Sequence, residues 1–278
     1  MYQVRNLFRY LQIWRGEKGL TMTTITLNGQ TQEVPEGMSV LEAARMAGID
    51  IPTLCHHEAL GAYGACRVCV VWAEGPAQRP GLTAACTTPV SNGLAVQTES
   101  AAVQSARRVI FQLLLGRSPE SESLRSIAKH YGVTSTPFGE GAHHDLCVRC
   151  GLCVRACKDK IGTAAISFSG RGQSRDVSTE FGALSELCIG CGSCAMVCPT
   201  GMIRIEDSDG ERAIVRDDLT IARFPLLTCT SCGAPMVTER FMDRRMQALP
   251  DGQSEVLCLD CKRKRMAANA ESFLNVWS

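Results

Sequence analysis

Sixteen cysteines are the residues of this 278-residue chain whose type and spacing point most directly to chemistry. Two runs share the pattern Cys-x2-Cys-x2-Cys-x3-Cys, one starting at Cys147 and one at Cys188. Soft thiolates at this spacing suit iron–sulfur clusters, and in such a double run each fourth cysteine ligates the other cluster. One 4Fe–4S cluster is therefore predicted on Cys147, Cys150, Cys153 and Cys198, and a second on Cys188, Cys191, Cys194 and Cys157.

A third set has the spacing of a 2Fe–2S loop and consists of Cys55, Cys66, Cys69 and Cys86. The segment 62–69 is small and contains a glycine, so backbone amides are expected to reach the sulfurs. His56 and His57 suggest a Rieske-type alternative, in which two histidines replace two cysteines. Four cysteines already fill the site, and the histidines are therefore expected at the surface or beside the ligands.

The last set has the shape of a zinc ribbon and consists of Cys229, Cys232, Cys258 and Cys261. Such a pair of knuckles is predicted to bind zinc in a closed tetrahedral site of four thiolates. A 4Fe–4S or 2Fe–2S cluster at this position is the alternative. The basic run 262–265 follows the last cysteine and is interpreted as a charge balance for the thiolates.

The spacing disfavours disulfides, and Cys-x2-Cys repeats fit metal ligation better. Residues 1–21 contain no apolar core followed by a small-residue cleavage site, so a reducing compartment, most simply the cytoplasm, is expected. No run of about 18 apolar residues predicts a membrane span. The balance of 29 basic and 28 acidic residues gives no electrostatic reason to expect nucleic acid as a partner.

The elements around the first cysteine loop are predicted from short patterns. Residues 24–30 alternate and end at Asn28-Gly29, which is a strong hairpin signal. Ser39 and Glu42 form a capping box for a helix that Gly48 ends. Further strands are predicted at 68–72 and 94–97. This order is that of a β-grasp 2Fe–2S ferredoxin.

The predicted fold class is α+β, with five segments. Segment 1–21 has apolar residues at helical spacing and is interpreted as a packing helix, or as a docking helix for a partner subunit or a membrane surface; Met22 is an alternative start. The others are a β-grasp 2Fe–2S domain (22–99), a helical linker with a degenerate cluster site (100–140), a bacterial-type double 4Fe–4S ferredoxin domain (141–206) and a zinc-ribbon-like module (207–278).

Residues 23–205 resemble the N-terminal iron–sulfur region shared by several redox complexes. These are the large subunit of NADH dehydrogenase (complex I), the diaphorase small subunit of NAD-linked nickel–iron hydrogenases, NAD-dependent formate dehydrogenases and iron-only hydrogenases. The residues that carry the resemblance are the Cys55–Cys86 loop, Cys147–Cys157, Gly162–Gly172 and Cys188–Pro199. The tail around Cys229–Cys261 resembles, less closely, a zinc-ribbon-like tail of some hydrogenase subunits.

The chain departs from this family at one cluster. The family has a 4Fe–4S cluster with one His and three Cys ligands between the two regions, whereas residues 87–146 contain no cysteine. Segments 107–115 and 127–132 match the flanks of that cluster, and the ligand segment is replaced by 117–123, which is expected to be a loop. The cluster is therefore predicted to be absent, since His130 cannot replace three thiolates.

The resemblance implies an electron-transfer subunit of a hetero-oligomeric oxidoreductase. Its one 2Fe–2S and two 4Fe–4S clusters would connect a flavin subunit that handles NAD(H) with a catalytic subunit for hydrogen, formate or another low-potential substrate. No dinucleotide fingerprint and no nucleophile–base set stand out, so no catalysis by this chain alone is expected. A structural or regulatory adaptor of such a complex is the alternative.

Overall fold

A computed structural model describes residues 21–139, 146–217, 219–247 and 256–274. The described chain divides into two compact units between Leu152 and Cys153. The amphipathic segment predicted at 1–21 lies outside the described residues, except for its last residue. Within the described part of the chain, no helix is both long enough and apolar enough to span a membrane.

The first unit is built on a five-stranded sheet in the order β2-β1-β5-β3-β4. β1 and β5 are parallel, and the other neighbours are antiparallel. This arrangement fits the predicted β-grasp domain. The strands are β1 (Met22–Leu27), β2 (Gln30–Pro35), β3 (Val70–Gly75), β4 (Gln78–Ala84) and β5 (Leu94–Gln97).

The hairpin and the helix predicted for this sheet are confirmed. Asn28 and Gly29 have positive φ angles of 49° and 83°, as a two-residue hairpin turn between β1 and β2 requires. Helix α1 (Val40–Met46) begins at Ser39, which forms the predicted capping box with Glu42. The buried side chains of α1 pack on the sheet in a core that also contains Cys69 and Cys86. Two cysteines of the first set therefore belong to the hydrophobic core.

Two strand predictions need correction. β3 begins at Val70 rather than at residue 68, because Arg67 has a φ of 61° and turns the chain before the strand. β4 was not predicted, since Pro80 and Gly81 weaken its pattern. An edge position tolerates a proline, and β4 lies at the edge of the sheet.

The linker contains two helices, α2 (Ala101–Arg117) and α3 (Glu122–His130). The first confirms the predicted helix. The loop predicted at 117–123 is found at 118–121 and is shorter than predicted, because Ser121 caps the second helix with its side chain accepting from the Leu124 N–H. The rings of Phe111 and Tyr131 stack with their centroids 5.2 Å apart. Apolar and aromatic packing therefore joins these two helices.

Arg107 ties the linker to the 2Fe–2S domain, although it lies in a helix where an arginine is expected to be solvated. Its side chain is fully buried. Its guanidinium donates to the carbonyl oxygens of Val70 and Thr98 at 3.0 and 3.2 Å and pairs with Glu99 at 2.9 Å. Val70 directly follows Cys69, and Arg107 therefore anchors the end of the cysteine loop to α2.

We expect Arg107→Ala to destabilise the first unit by about 3 kcal/mol, because two buried carbonyls and one carboxylate lose a charged donor. The measurement is the urea midpoint at which visible absorption of the 2Fe–2S cluster is lost. Arg108→Ala is the matched control, since Arg108 is exposed on the same helix. Equal midpoints for the two variants would contradict the anchoring role.

The second unit contains a four-stranded antiparallel sheet in the order β11-β10-β9-β8 and a two-stranded sheet of β6 and β7. Helix α4 (Leu152–Arg155) leads into a π-helix (Ala156–Ile161), and helix α5 (Ser193–Met196) follows the second cysteine run. The remaining elements are β6 (Ser167–Ser169), β7 (Asp176–Ser178), β8 (Ile203–Ser208), β9 (Glu211–Arg216), β10 (Leu219–Thr228), β11 (Pro235–Thr238), α6 (Glu239–Gln247) and α7 (Leu259–Leu274).

The four-stranded sheet forms one side of the core of the second unit. Ile203, Ile214 and Ile221 are buried there together with Cys153. Cys157, Cys188 and Cys194 pack against the same core. The sheet that follows the second cysteine run is thus part of the surroundings of those cysteines.

Candidate functional site

All sixteen cysteines lie among the described residues, and none forms a disulfide. The buried fraction differs between the sets. The cysteines of the first set are at most 7% exposed, whereas most of those in the later sets are half-buried.

The four thiols of the first set lie close together. Hydrogen bonds with Cys66 and Cys86 lower the pKa of Cys55 to about 2, and a hydrogen bond with Cys86 lowers the pKa of Cys69 to about 7. The Cys66 N–H also donates to the Cys55 Sγ at 3.4 Å. The same hydrogen bonds raise the pKa of Cys66 and Cys86, so these two thiols would lose their protons only to a bound cation. Four cysteine sulfurs around one space fit the ligand requirement of a 2Fe–2S cluster.

A cavity of about 490 Å³ lies beside this set. Cys86 lines it together with Met38, Met46, His56 and Glu42. Cys86 itself is only 1% exposed. The other residues that line the cavity therefore lie near a cysteine that solvent hardly reaches. His56 lines this cavity, and the Nδ1 of His57 accepts a hydrogen bond from the Ala59 N–H at 3.2 Å.

In the second unit one cavity collects Cys157, Cys188, Cys191 and Cys194. Cys157 belongs to the first run, whereas the other three belong to the second. The remaining lining is mostly apolar and includes Ile161, Ile166, Ile189, Ile214 and Ile221. Burial raises the pKa of Cys194 to about 12 and also raises the pKa of Cys188. Such thiols ionise only with a bound cation, which is the chemistry of a cluster site.

A single loop, residues 186–190, presents Cys188 to this cavity. The Gly190 N–H lies 3.4 Å from the Cys188 Sγ, and Gly190 has a φ of 68°. A Cβ at Gly190 would lie 2.5 Å from the Cγ2 of Thr238 and 2.9 Å from the Phe224 ring. The loop is therefore packed directly against β10 and the end of β11.

Two residues of the C-terminal region hold this loop, and the sequence pattern did not reveal them. The hydroxyl of Thr238, which is fully buried, donates to the carbonyl oxygen of Ile189. The Arg240 guanidinium donates to the carbonyl oxygen of Glu186 at 2.8 Å and lies 5.1 Å from the centroid of the Phe224 ring. Both contacts join residues about 50 positions apart, so no local sequence pattern predicts them.

The third predicted set combines Cys147 and Cys150, which belong to the first unit, with Cys153 and Cys198, which belong to the second. Polar groups lie near the sulfurs of Cys147 and Cys198. The Arg149 N–H lies 3.4 Å from the Cys147 Sγ, and Cys198 Sγ lies 3.6 Å from the Thr200 hydroxyl. In each unit, a potential hydrogen-bond donor therefore lies near one sulfur of this set.

The four sulfurs of the C-terminal set all lie within 4.8 Å of one another. Cys229 is buried, Cys232 is exposed, and Cys258 and Cys261 are half-buried. The structure thus brings together the two pairs that the sequence separates by 25 residues. This position therefore carries a four-cysteine group that could hold a metal ion.

Segment 117–123, predicted to replace the ligands of a His/Cys-bound 4Fe–4S cluster, contains no cysteine, and the nearby His130 is exposed. His130 lies at the end of α3 with its ring edge against Tyr131, and among the described residues it joins no ligand group. We expect His130→Ala to leave iron content and the EPR spectrum unchanged. A loss of about four irons would contradict this, and Cys55→Ser, with an expected loss of about two irons, is the positive control.

Comparison with known proteins places domains on these sites. The description "2Fe-2S iron-sulfur cluster binding domain" matches residues 21–101, and "4Fe-4S dicluster domain" matches residues 142–205 and, in a second family, 187–236. The C-terminal knuckle at Cys258 and Cys261 lies outside these matches.

Similar proteins are subunits of NAD(P)-linked redox enzymes. The chain is 35% identical over 190 residues to the NADP-reducing hydrogenase subunit HndD of Solidesulfovibrio fructosivorans, covering 58% of this chain and 32% of that protein. It is 28% identical over 201 residues to the 78 kDa subunit of mitochondrial NADH-ubiquinone oxidoreductase of Candida albicans, covering 63% and 27%. The chain thus spans about a third or less of these curated relatives.

One solved structure is similar to this chain over most of the length of both chains. A chain in the crystal structure of an NAD+-reducing [NiFe]-hydrogenase in the H2-reduced state aligns with a TM-score of 0.54 and 27% identity. The alignment covers 82% of this chain and 96% of that one. With its 2Fe–2S domain and its 4Fe–4S dicluster domain, this chain resembles the iron–sulfur subunits of NAD(P)-linked hydrogenases and of complex I.

Proposed function

We propose that this chain is an electron-relay subunit of a multi-subunit oxidoreductase. It would connect a flavin subunit that handles NAD(H) with a catalytic subunit for hydrogen, formate or a similar low-potential substrate. The observation that carries the proposal is the cavity that Cys157 shares with Cys188, Cys191 and Cys194. A fourth ligand contributed by the other run is the pattern expected of a double-cluster electron carrier.

The proposed ligands follow the four cysteine sets. A 2Fe–2S cluster would be held by Cys55, Cys66, Cys69 and Cys86. One 4Fe–4S cluster would be held by Cys157, Cys188, Cys191 and Cys194, and the other by Cys147, Cys150, Cys153 and Cys198. When bound, such clusters supply one-electron chemistry, with potentials set by ligand type, hydrogen bonds and exposure.

The residues of the chain would tune these potentials. Amide N–H groups at 3.4 Å from the Sγ atoms of Cys55 and Cys188 offset negative charge and favour the reduced state. The isoleucines around the second cavity exclude water and have the opposite effect, since a low dielectric disfavours added charge. The cationic Arg240, whose guanidinium lies near Cys188, again favours reduction.

Exposed apolar side chains near the second cysteine run support a partner at the dicluster region. Phe181, Leu184, Leu187 and Met196 are 105%, 61%, 48% and 81% exposed, and all lie within a few residues of the second cysteine run. Large apolar side chains in this number are typical of an interface that a partner covers. The similar proteins are named as subunits, which also supports a hetero-oligomer.

The boundaries of the five segments remain part of the proposal, and so does a reducing location such as the cytoplasm, in which thiolate ligands persist. The C-terminal set is proposed as a metal site that holds either zinc or a further iron–sulfur cluster. For the clusters proposed above, with a C-terminal zinc, metal content would be about ten irons and one zinc per chain.

The test uses the native complex, purified anaerobically through an affinity tag on this chain. Rapid-freeze EPR after mixing with NADH should show reduction of the 2Fe–2S cluster and then of the 4Fe–4S clusters. In the complex carrying Cys55→Ser, NADH should no longer reduce the 4Fe–4S clusters, whereas dithionite still should. Clusters that neither reagent reduces would overturn the relay and favour the structural adaptor.

A further inference from the structure

We infer that Cys229, Cys232, Cys258 and Cys261 bind a single zinc ion in a tetrahedral site and not an iron–sulfur cluster. The inference is independent of the electron relay, because it depends only on the spacing of four sulfurs and the backbone around them. All four Sγ atoms lie within 4.8 Å of one another, and those of Cys232 and Cys258 are 3.7 Å apart.

These separations are those of ligands that share one ion. Zinc–sulfur bonds of about 2.3 Å in a tetrahedron place each pair of sulfurs about 3.8 Å apart. In a 4Fe–4S cluster each cysteine binds a different iron and points away from the centre, so the four Sγ atoms are spread wider than the irons. In a 2Fe–2S cluster two cysteine pairs lie at opposite ends of the core and are also spread apart.

The other cysteine sets provide an internal comparison. Within the described part of the chain, the C-terminal set is the only group of three or more Cys, His, Asp or Glu residues whose ligand atoms are this close together. The sulfurs are not all within 4.8 Å of one another in the set proposed for a 2Fe–2S cluster, Cys55 to Cys86. The same is true of the set proposed for a 4Fe–4S cluster, Cys157 to Cys194. The distances between sulfurs therefore distinguish the C-terminal set from the sets proposed for clusters.

The backbone prepares the first knuckle. The Cys229 N–H donates to the Ala234 carbonyl oxygen, and the Gly233 N–H donates to the Cys229 carbonyl oxygen, both at 2.9 Å. Gly233 has a φ of 72°, which closes the turn between β10 and β11. The Thr230 N–H donates to the Val256 carbonyl oxygen at 2.9 Å and brings the second pair alongside.

The second knuckle supplies hydrogen bonds and compensating charge. The Cys258 N–H lies 3.3 Å from the Cys229 Sγ, and the Cys261 N–H lies 3.4 Å from the Cys258 Sγ. Cys261 lies in the first turn of α7, where the helix dipole stabilises an anion. Four thiolates and one Zn²⁺ leave a net charge of −2, and the basic run 262–265 follows at once.

A zinc ion has no redox chemistry, so the site would stabilise structure and carry no electrons. Cys229 and Cys232 lie between β10 and β11, and β11 ends at Thr238, which contacts Ile189. Zinc binding would therefore fix the turn where β11 begins, and the other end of this strand contacts the loop of Cys188. We expect the ion to position Thr238 and Arg240 against that loop.

The first measurement is X-ray absorption at the zinc edge of the wild-type holoprotein, which needs no variant. About one zinc per chain with four sulfur ligands at about 2.3 Å is expected. The second is the metal content of Cys261→Ser, which should lose its zinc and keep its iron. Met266→Ser is the matched control, since Met266 lies on the same helix and is 71% exposed.

Each outcome decides the inference. Zinc loss without iron loss in Cys261→Ser supports it, and so does a four-sulfur zinc shell in the wild type. A loss of about four or two irons instead would establish a cluster, and one iron per chain at this site would replace zinc by iron; both results overturn it. Clusters that proved redox-silent would defeat the electron relay and leave the zinc site intact.

Discussion

Replacing Cys157 by serine is expected to remove the 4Fe–4S cluster whose other ligands are Cys188, Cys191 and Cys194, although Cys157 belongs to the first run. The reason is the cavity that these four residues line together. A neutral serine hydroxyl is a poor substitute for a soft thiolate on iron. The expected result is a loss of about four irons from the holoprotein, with one EPR signal of the reduced sample missing.

The pairing of variants makes this test sharp. Cys157→Ser and Cys191→Ser should abolish the same EPR signal, and Cys198→Ser should abolish the other 4Fe–4S signal together with Cys147→Ser. If Cys157→Ser instead removed the signal that Cys147→Ser removes, each run would hold its own cluster. The crossed ligand assignment would then be wrong, and the argument from the shared cavity with it.

Replacing Gly190 by alanine is expected to release the same cluster without touching a ligand. The left-handed backbone alone costs about 1 kcal/mol for alanine. The added methyl group would also lie 2.5 Å from a Thr238 carbon and 2.9 Å from the Phe224 ring. Thr238 is fully buried and hydrogen-bonded to Ile189, so the loop must move, at a further cost of about 1–3 kcal/mol.

Gly210→Ala is the matched control for this change. Gly210 has a φ of 76°, and a Cβ there would meet nothing within 4 Å. Gly210→Ala therefore has the same conformational cost as Gly190→Ala but causes no steric clash. We expect iron content to fall by about four atoms in Gly190→Ala and to stay at the wild-type value in Gly210→Ala. Equal iron content and equal melting temperatures in the two variants would show that the loop tolerates displacement.

Much of the local architecture was predictable from the sequence. The hairpin at Asn28 and Gly29 and the capping box of Ser39 and Glu42 depend on residues at most three positions apart. The ligand sets were equally visible, since thiolates at spacings of two or three residues serve few purposes besides metal binding. The choice between zinc and a cluster at the C-terminal set was not visible, because spacing along the chain does not specify the distances between sulfurs.

Long-range packing was not predictable from these patterns. Arg107 reads as a solvated helix residue and is fully buried, because its partners Val70 and Thr98 come from other elements. Residues 207–228 were predicted only as part of the zinc-ribbon-like module, but they contain two strands whose residues Ile214 and Ile221 line the second cysteine cavity.

The sequence by itself thus determined which side chains can bind iron or zinc, since ligand chemistry depends on residue type and short spacing. The tertiary structure decided which thiols share a site, how far apart their sulfurs lie, and what holds the loop of Cys188. Those properties arise from contacts such as Thr238 to Ile189 and Arg240 to Glu186, which join residues about 50 positions apart. Their energies appear only after the chain has folded, because loop closure must bring the partners together first.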